Sequence, residues 1–221
     1  MKKLILTLFI AVFSFSLFAA ENIAVANHSF EADDVFDSAW TQDGQVSSWS
    51  QVDNGIVSDS GLVDRNLWGD GTFHNAIDPT FDEDGEQLLW SNGDDFYQVL
   101  GSVLEPNTSY TLTVDVGTPT WQFFSGAELR MGTGSTFGSN LFNTSIVHNS
   151  APANGGGAND GWQTWSTTFT TDSGNFGEAL RVELLSSGSW VLFDNIRLIK
   201  TPTNIEVGNH SFEADNVFDS A

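Results

Sequence analysis

Cysteine is absent from all 221 residues, which excludes disulfide staples, thiolate metal sites and cysteine nucleophiles together. Basic residues are nearly as scarce, with 7 Lys and Arg against 29 Asp and Glu and a formal net charge of −22. A field of that sign repels nucleic acid and anionic membrane surfaces, and it attracts divalent cations. Much of the acidity lies in Asp-Gly and Asp-Asn contexts that suit loops or oxygen ligands, although most single carboxylates serve only solubility. No long segment carries helical periodicity.

The N-terminus has the order of a secretory signal peptide: Lys2-Lys3, an apolar run over 4–13, Ser14 and Ser16, then Ala19-Ala20. The run is short and interrupted for a membrane anchor, so residues 1–20 are set aside and the mature chain is expected to be secreted, without membrane insertion. Loss of Lys2 and Lys3 leaves five cationic side chains against 29 carboxylates, a balance of −24. An exported chain without disulfides must draw its stability from a large core or a bound ion. With 40% hydrophobic and 13% aromatic residues, a two-layer core is within reach.

Residues 22–39 recur at 204–221, differing only where 24, 26 and 34 correspond to 206, 208 and 216. The offset of 182 residues is the length of a domain rather than of a solenoid repeat. One module is therefore expected over 21–200, a linker over 201–203, and the start of a second copy over 204–221, as in a tandem array.

Within the module, apolar and polar residues alternate as in half-buried strands. Tyr110, Leu112, Val114 and Val116 alternate with Thr111, Thr113 and Asp115, after a turn at Glu105-Pro106-Asn107. Leu180, Val182 and Leu184 alternate with Arg181 and Glu183, and Trp165, Thr167 and Phe169 with Thr164, Ser166 and Thr168. Further strands are expected near 22–26, 46–52, 86–91, 95–100, 126–131, 142–148 and 189–199. So many strands with 21 Gly and no strong helix predict an all-β antiparallel β-sandwich. The Gly- and Asn-rich stretch 151–161 reads as an exposed loop, and 61–84 as a long connection carrying Trp68, Phe73, His74 and Phe81.

Asn27-His28-Ser29-Phe30-Glu31 at one end and Phe193-Asp194-Asn195-Ile196-Arg197-Leu198 at the other resemble the bracketing signatures of a bacterial family of carbohydrate-binding-module-like jelly rolls. The usual forms are Asn-Pro-Ser-Phe-Glu and Phe-Asp-Asn-Val-Arg-Leu, so His28 departs at one position. Segments 84–88, 96–100 and 110–117 fall between them in the family's order, and the resemblance spans the whole first module. It implies jelly-roll topology, similar to xylan- and glucan-binding modules that keep a structural calcium. The family also includes the Stig cyclases of cyanobacterial indole-alkaloid biosynthesis, so the fold does not choose between binding and catalysis.

Alternation places Asp194 on the face of Trp190, Leu192, Ile196 and Leu198, where a buried carboxylate needs a counter-charge. Arg197 points the other way. The resemblance implies that Glu31 and Asp194 hold calcium, with Asn27 from the same motif as a third candidate; the alternative for Asp194 is a carboxylate accepting backbone N–H groups at a sheet edge. The run Asp82-Glu83-Asp84-Gly85-Glu86 fails as an EF-hand, because Gly85 at the sixth position puts Ser91 at the twelfth, where a carboxylate is required. It reads as a solvated acidic turn.

Of the 8 tryptophans, Trp49, Trp165 and Trp190 lie in alternating strands and are expected in the core. Trp68, Trp121, Phe123 and Phe124, with His74, lie in loops and are the candidate ligand face, where exposed rings would stack on sugars. The competing reading packs them beneath their own loops. Catalytic signatures are few: no Gly-x-Ser-x-Gly elbow, no His-Glu-x-x-His, and no helix after Gly132-Thr133-Gly134-Ser135 to make a phosphate loop. His28, His74 and His148 are scattered.

The expected function is therefore a secreted, non-catalytic carbohydrate-binding module with a structural calcium, its partner a neutral polysaccharide. A structural or adhesive tandem repeat with further copies of the module is the alternative, and a cyclase-like enzyme on the same sandwich stands behind both.

Overall fold

The computed structural model describes residues 19–33, 46–53, 59–64, 85, 87–118, 124, 126–142, 146–148, 162–172, 176–188 and 190–203. Residues 1–18 of the segment expected as a signal peptide, Trp68, His74, Trp121, Phe123, the stretch 151–161 and the recurring segment 204–221 lie outside them. Eleven strands are described: β1 Glu21–Ile23, β2 Ser50–Val52, β3 Ser60–Asp64, β4 Gln87–Ser91, β5 Asp95–Val103, β6 Thr108–Gly117, β7 Ala127–Thr133, β8 Ile146–His148, β9 Trp162–Thr170, β10 Ala179–Ser186 and β11 Val191–Pro202. Every pairing is antiparallel. One sheet has the order β3-β4-β11-β6-β9, with β1 also on β11, and the other β2-β5-β10-β7-β8. The protein is an all-β antiparallel sandwich of the jelly-roll kind.

The core lies where the apolar halves of these alternations meet. Leu112, Val114, Phe193 and Leu198 from the first sheet face Phe96, Leu129, Val182 and Leu184 from the second, all nearly without exposure. Trp49 and Trp165 belong to this core, as their strand positions predicted. On the outer face of β6 the threonines form a hydroxyl ladder, with Thr111 and Thr168 Oγ1 atoms 2.9 Å apart.

Three features depart from the sequence reading. β3 lies at the start of the stretch expected as a connection, and both β3 and β4 are buried along their whole lengths. The cause is a second apolar cluster of Val63, Leu88, Trp90 and Leu192 on the other side of the first sheet, where Trp190 stacks on Trp90 at 4.2 Å and 14°. Strands buried on both faces lose their alternation, and Trp190 packs there rather than in the main core.

The second departure concerns Asp194. The register of β11 against β6 shifts between Asp194 and Arg197, and Asn195 takes a φ of 53°. This bulge adds one residue and reverses the parity of the strand. Ile196 and Leu198 therefore enter the main core, while Asp194 keeps the face of Leu192. It stands opposite Asp115 of β6. Burial pushes the Asp115 carboxyl above the usual carboxylate range, opposed by hydrogen bonds from Thr164 Oγ1 at 2.5 Å and Asn195 Nδ2 at 2.8 Å and by the Arg197 charge.

Third, the residues expected as a linker still pair. Thr201 stands opposite Ser109 and Pro202 opposite Thr108, and the Thr203 N–H donates to Asn107 O at 2.7 Å.

Candidate functional site

The outer face of the second sheet carries the polar halves of β5, β7 and β10. Register aligns Glu183 of β10 with Tyr97 of β5 on one side and Arg130 of β7 on the other, and Arg181 with Val99 and Gly132 in the next row. In an antiparallel sheet such neighbours share a face. An open face would leave Arg181 and Glu183 wet, yet both are 0% exposed.

They are covered by the segment after β7, which turns back on itself through Gly134, at a φ of 80°, and pairs Leu141 with Gly132. Arg181 ties this segment down. Its Nε lies 2.6 Å from Glu183 Oε1, its Nη1 donates to Thr133 O at 2.6 Å and Gly134 O at 2.9 Å, and its Nη2 donates to Ser139 O. The Gly138 N–H donates to Glu183 Oε1 at 2.8 Å. Gly132 is required beneath the guanidinium, because a Cβ there would stand 2.7 Å from Nη2.

Glu183 Oε2 is buried and accepts no hydrogen bond among the described residues. A buried carboxylate oxygen left without a hydrogen bond, in a carboxyl whose other oxygen is fixed by an ion pair, is an exception to the usual satisfaction of buried polar groups and marks a candidate site. Around it stand Tyr97, whose ring lies 5.6 Å from Phe137 of the covering segment, and the Arg130–Glu128 ion pair at 2.6 Å. The hydrogen bond from Arg130 to Glu128 raises the guanidinium's pKa, against the opposing effect of burial.

The sequence had placed Arg181 and Glu183 on the polar side of a half-buried strand. Nothing local marked them as buried, since the residues that bury them lie about forty positions away. Their only sequence signal was an acid and a base two residues apart on an otherwise apolar strand.

Of the expected ligand-face residues only Phe124 is described, and it packs edge-on to Trp165 with centroids 6.1 Å apart. Of the three metal candidates, Glu31 and Asp194 lie by β4 and β11 of the first sheet, and Asn27 lies in the loop that precedes Glu31. Asn27 closes the 27–33 loop: its Oδ1 accepts the Ala32 N–H at 2.9 Å, and its Nδ2 donates to Ser47 O at 3.0 Å and Asp33 Oδ2 at 3.2 Å. The same loop is joined to the β11 bulge by the Ile196 N–H donating to His28 O at 2.9 Å.

Glu31 Oε1 accepts the Gln87 N–H at 2.7 Å, and its carboxyl lies so close over Gly85 that a Cβ there would stand 2.2 Å away. Asp194 Oδ1 accepts the Asn195 N–H at 2.7 Å. No three His, Cys, Asp or Glu side chains among the described residues form a metal cluster. Glu31 and Asp194 offer carboxylate oxygens, hard donors that would suit calcium and not zinc.

Three solved structures resemble the chain closely in fold. The apo form of a cyclase from Fischerella sp. has 23% identity and a TM-score of 0.67, covering 84% of this chain and 98% of its own. The Stig cyclase Fisc from Fischerella sp. TAU, in complex with (3Z)-3-(1-methyl-2-pyrrolidinylidene)-3H-indole, has 22% identity and a TM-score of 0.65, covering 84% of this chain and 100% of its own. A cyclase from Fischerella sp. TAU in complex with 4-(1H-indol-3-yl)butan-2-one has 22% identity and a TM-score of 0.64, with the same coverage of 84% and 100%. No curated protein matches the chain. The family model described as HpiC1-like, HpiC1 cyclase, matches residues 21–199. That match overturns the expectation of a non-catalytic carbohydrate-binding module: the motifs at Asn27–Glu31 and Phe193–Leu198 report the jelly-roll frame shared by binders and cyclases, and the frame was read as the function. With a cyclase model covering its whole sandwich, the chain belongs to the HpiC1-like family.

Proposed function

We propose that the chain is a cyclase-like enzyme that closes a ring within an unsaturated, electron-rich substrate, with Glu183 as its charge-handling group. Family membership supports the reaction class. The observation that carries the site is the fully buried Glu183, with Oε1 held by Arg181 and Gly138 and Oε2 left without a hydrogen bond among the described residues.

Such ring closures take up a proton at the alkene, develop positive charge on carbon and release a proton when conjugation is restored, so that substrate and product are isomers. A carboxylate in a dry, fixed site serves both needs: it stabilises the cation electrostatically and accepts the proton. Tyr97 and Phe137 supply aromatic walls beside it. A substrate reaches Glu183 only when residues 134–140 lift from Arg181, a loop step that also excludes water on closure. Because two of the similar cyclases are bound to indole compounds, an indole-bearing substrate is the first class to test.

The test offers indole-bearing alkenes to the purified protein and looks for ring-closed isomers of unchanged mass. Binding of 4-(1H-indol-3-yl)butan-2-one is measured alongside. Glu183→Gln is expected to lower isomer formation about a hundredfold or more, with ligand affinity held within a few-fold. Tyr97→Ala is expected to weaken ligand binding. If the wild-type protein neither binds the ketone nor forms an isomer from any member of the panel, the reading is wrong.

Export through the N-terminal signal and a structural calcium ion at Glu31 and Asp194 complete the proposal. The ion would clamp the 27–33 loop to β11 and take no part in the reaction. Chelation is expected to lower the melting temperature, since binding to the native state alone adds about 2.7 kcal/mol at a hundredfold excess over Kd. Glu31→Ala should abolish the response to EDTA; a melting curve that EDTA leaves unchanged removes the calcium site.

A further inference from the structure

A concavity of about 340 Å³ opens where the ends of β5 and β7 meet the start of β10. It is apart from Glu183: Ala179 at the start of β10 stands opposite Val103, whereas Glu183 stands opposite Tyr97. Its walls are Leu104, Leu141, Phe142 and Phe176, with Glu178, Thr133 and Asn140 as polar groups. The volume is at the small end of the range for ligand sites.

Backbone pairing builds the cavity. The Leu104 N–H donates to Glu178 O at 2.8 Å, the Gly177 N–H to Leu104 O at 2.9 Å, and the Gly134 N–H to Ala179 O at 2.9 Å. Phe142 is held flat against Phe169, with centroids 3.9 Å apart and 2° between planes. Phe176 is 61% exposed, and Leu141 is 37% exposed. Exposed apolar side chains scattered singly mean little, but two that line one concavity mark a binding surface.

The polar chemistry sets the sign of the ligand. Glu178 is the one ionised side chain among the described lining residues, and Thr133 Oγ1 orients it by donating to Oε2 at 2.6 Å. No lining residue is cationic, and the formal charge of the chain is −22. Anions are therefore repelled, and a cation with an apolar body finds both of its partners.

We infer that this cavity is a second ligand site, for a small aromatic ammonium whose charge meets Glu178 and whose ring lies against Phe142 and Phe176. The test titrates three ligands of equal ring size into the purified protein: 2-phenylethylamine, 2-phenylethanol and phenylacetate. The amine is expected to bind about fivefold more tightly than the alcohol, the scale of a partly exposed ion pair, and phenylacetate not measurably. Glu178→Gln should erase the amine's advantage, and Phe176→Ala should weaken amine and alcohol alike, with melting temperatures unchanged. Equal binding of all three ligands, or no amine binding at millimolar concentration, overturns the inference. So does amine binding that survives Glu178→Gln and is lost with Glu183→Gln, which would place the ligand on the sheet face instead.

Discussion

Truncating Arg181 to Ala should cost about 3–5 kcal/mol of folding stability, the range for stranding one member of a buried ion pair. Four acceptors each lose a donor in that substitution: Glu183 Oε1, which keeps the Gly138 N–H, and the carbonyls of Thr133, Gly134 and Ser139. Glu183 and Thr133 are buried, so their oxygens gain no water in exchange, whereas Gly134 and Ser139 are partly exposed. A buried charge without its partner is the costly state, and the intact pair is not in itself strongly favourable. The double replacement Arg181→Met with Glu183→Leu is therefore expected to recover most of the loss, giving a coupling of a few kcal/mol in a double-mutant cycle. Urea denaturation at neutral pH reads both. A single-mutant loss below about 1 kcal/mol, or a double mutant as unstable as the single, would mean that solvent reaches the pair and that the covering segment is not closed.

Trp49→Ala has the second large expected effect, about 3–5 kcal/mol as a core truncation. Trp49 is 7% exposed, its ring lies 5.8 Å from that of Phe30, and its Nε1 donates to Asn27 O at 3.2 Å. Phe30 is fully buried with a φ of 63°, an unfavourable backbone state for a bulky residue that persists only where packing demands it. Removing Trp49 takes away the surface against which Phe30 packs and one hydrogen bond of the 27–33 loop. Trp49→Phe should retain most of the stability. Phe176→Ala, at an exposed position, should change it by less than about 0.5 kcal/mol. Thermal unfolding followed by circular dichroism checks the order, and it fails if the two alanine variants melt together.

β6 and β10 were legible in the sequence because apolar core residues alternate in each with polar ones, a period of two that persists in β10 although distant chain buries its polar face as well. β3 was not legible as a half-buried strand, and β4, although expected near 86–91, shows no period of two, since the Trp90–Trp190 cluster dries the second face of both. Asp194 was assigned to the correct face with Leu192 but given the wrong neighbours beyond it. One residue of bulge at Asn195, visible only as a positive φ and a register shift, moved Ile196 and Leu198 to the other side. The motif residues named the jelly-roll frame, and the frame was taken for a binder because cyclases and binders share it.

The candidate site shows the same division. Glu183 and Arg181 read as solvent-facing, as any Arg and Glu on the polar side of an alternating strand would. By itself the sequence determined the all-β class, most of the strands and the family frame, since each depends on residues close together in the chain or on short motifs. Only the tertiary structure decided which polar faces stay wet. A side chain's direction follows from its own backbone, but its exposure depends on what distant chain folds over it, and here Thr133, Gly134 and Ser139 close over Arg181 from the end of another strand.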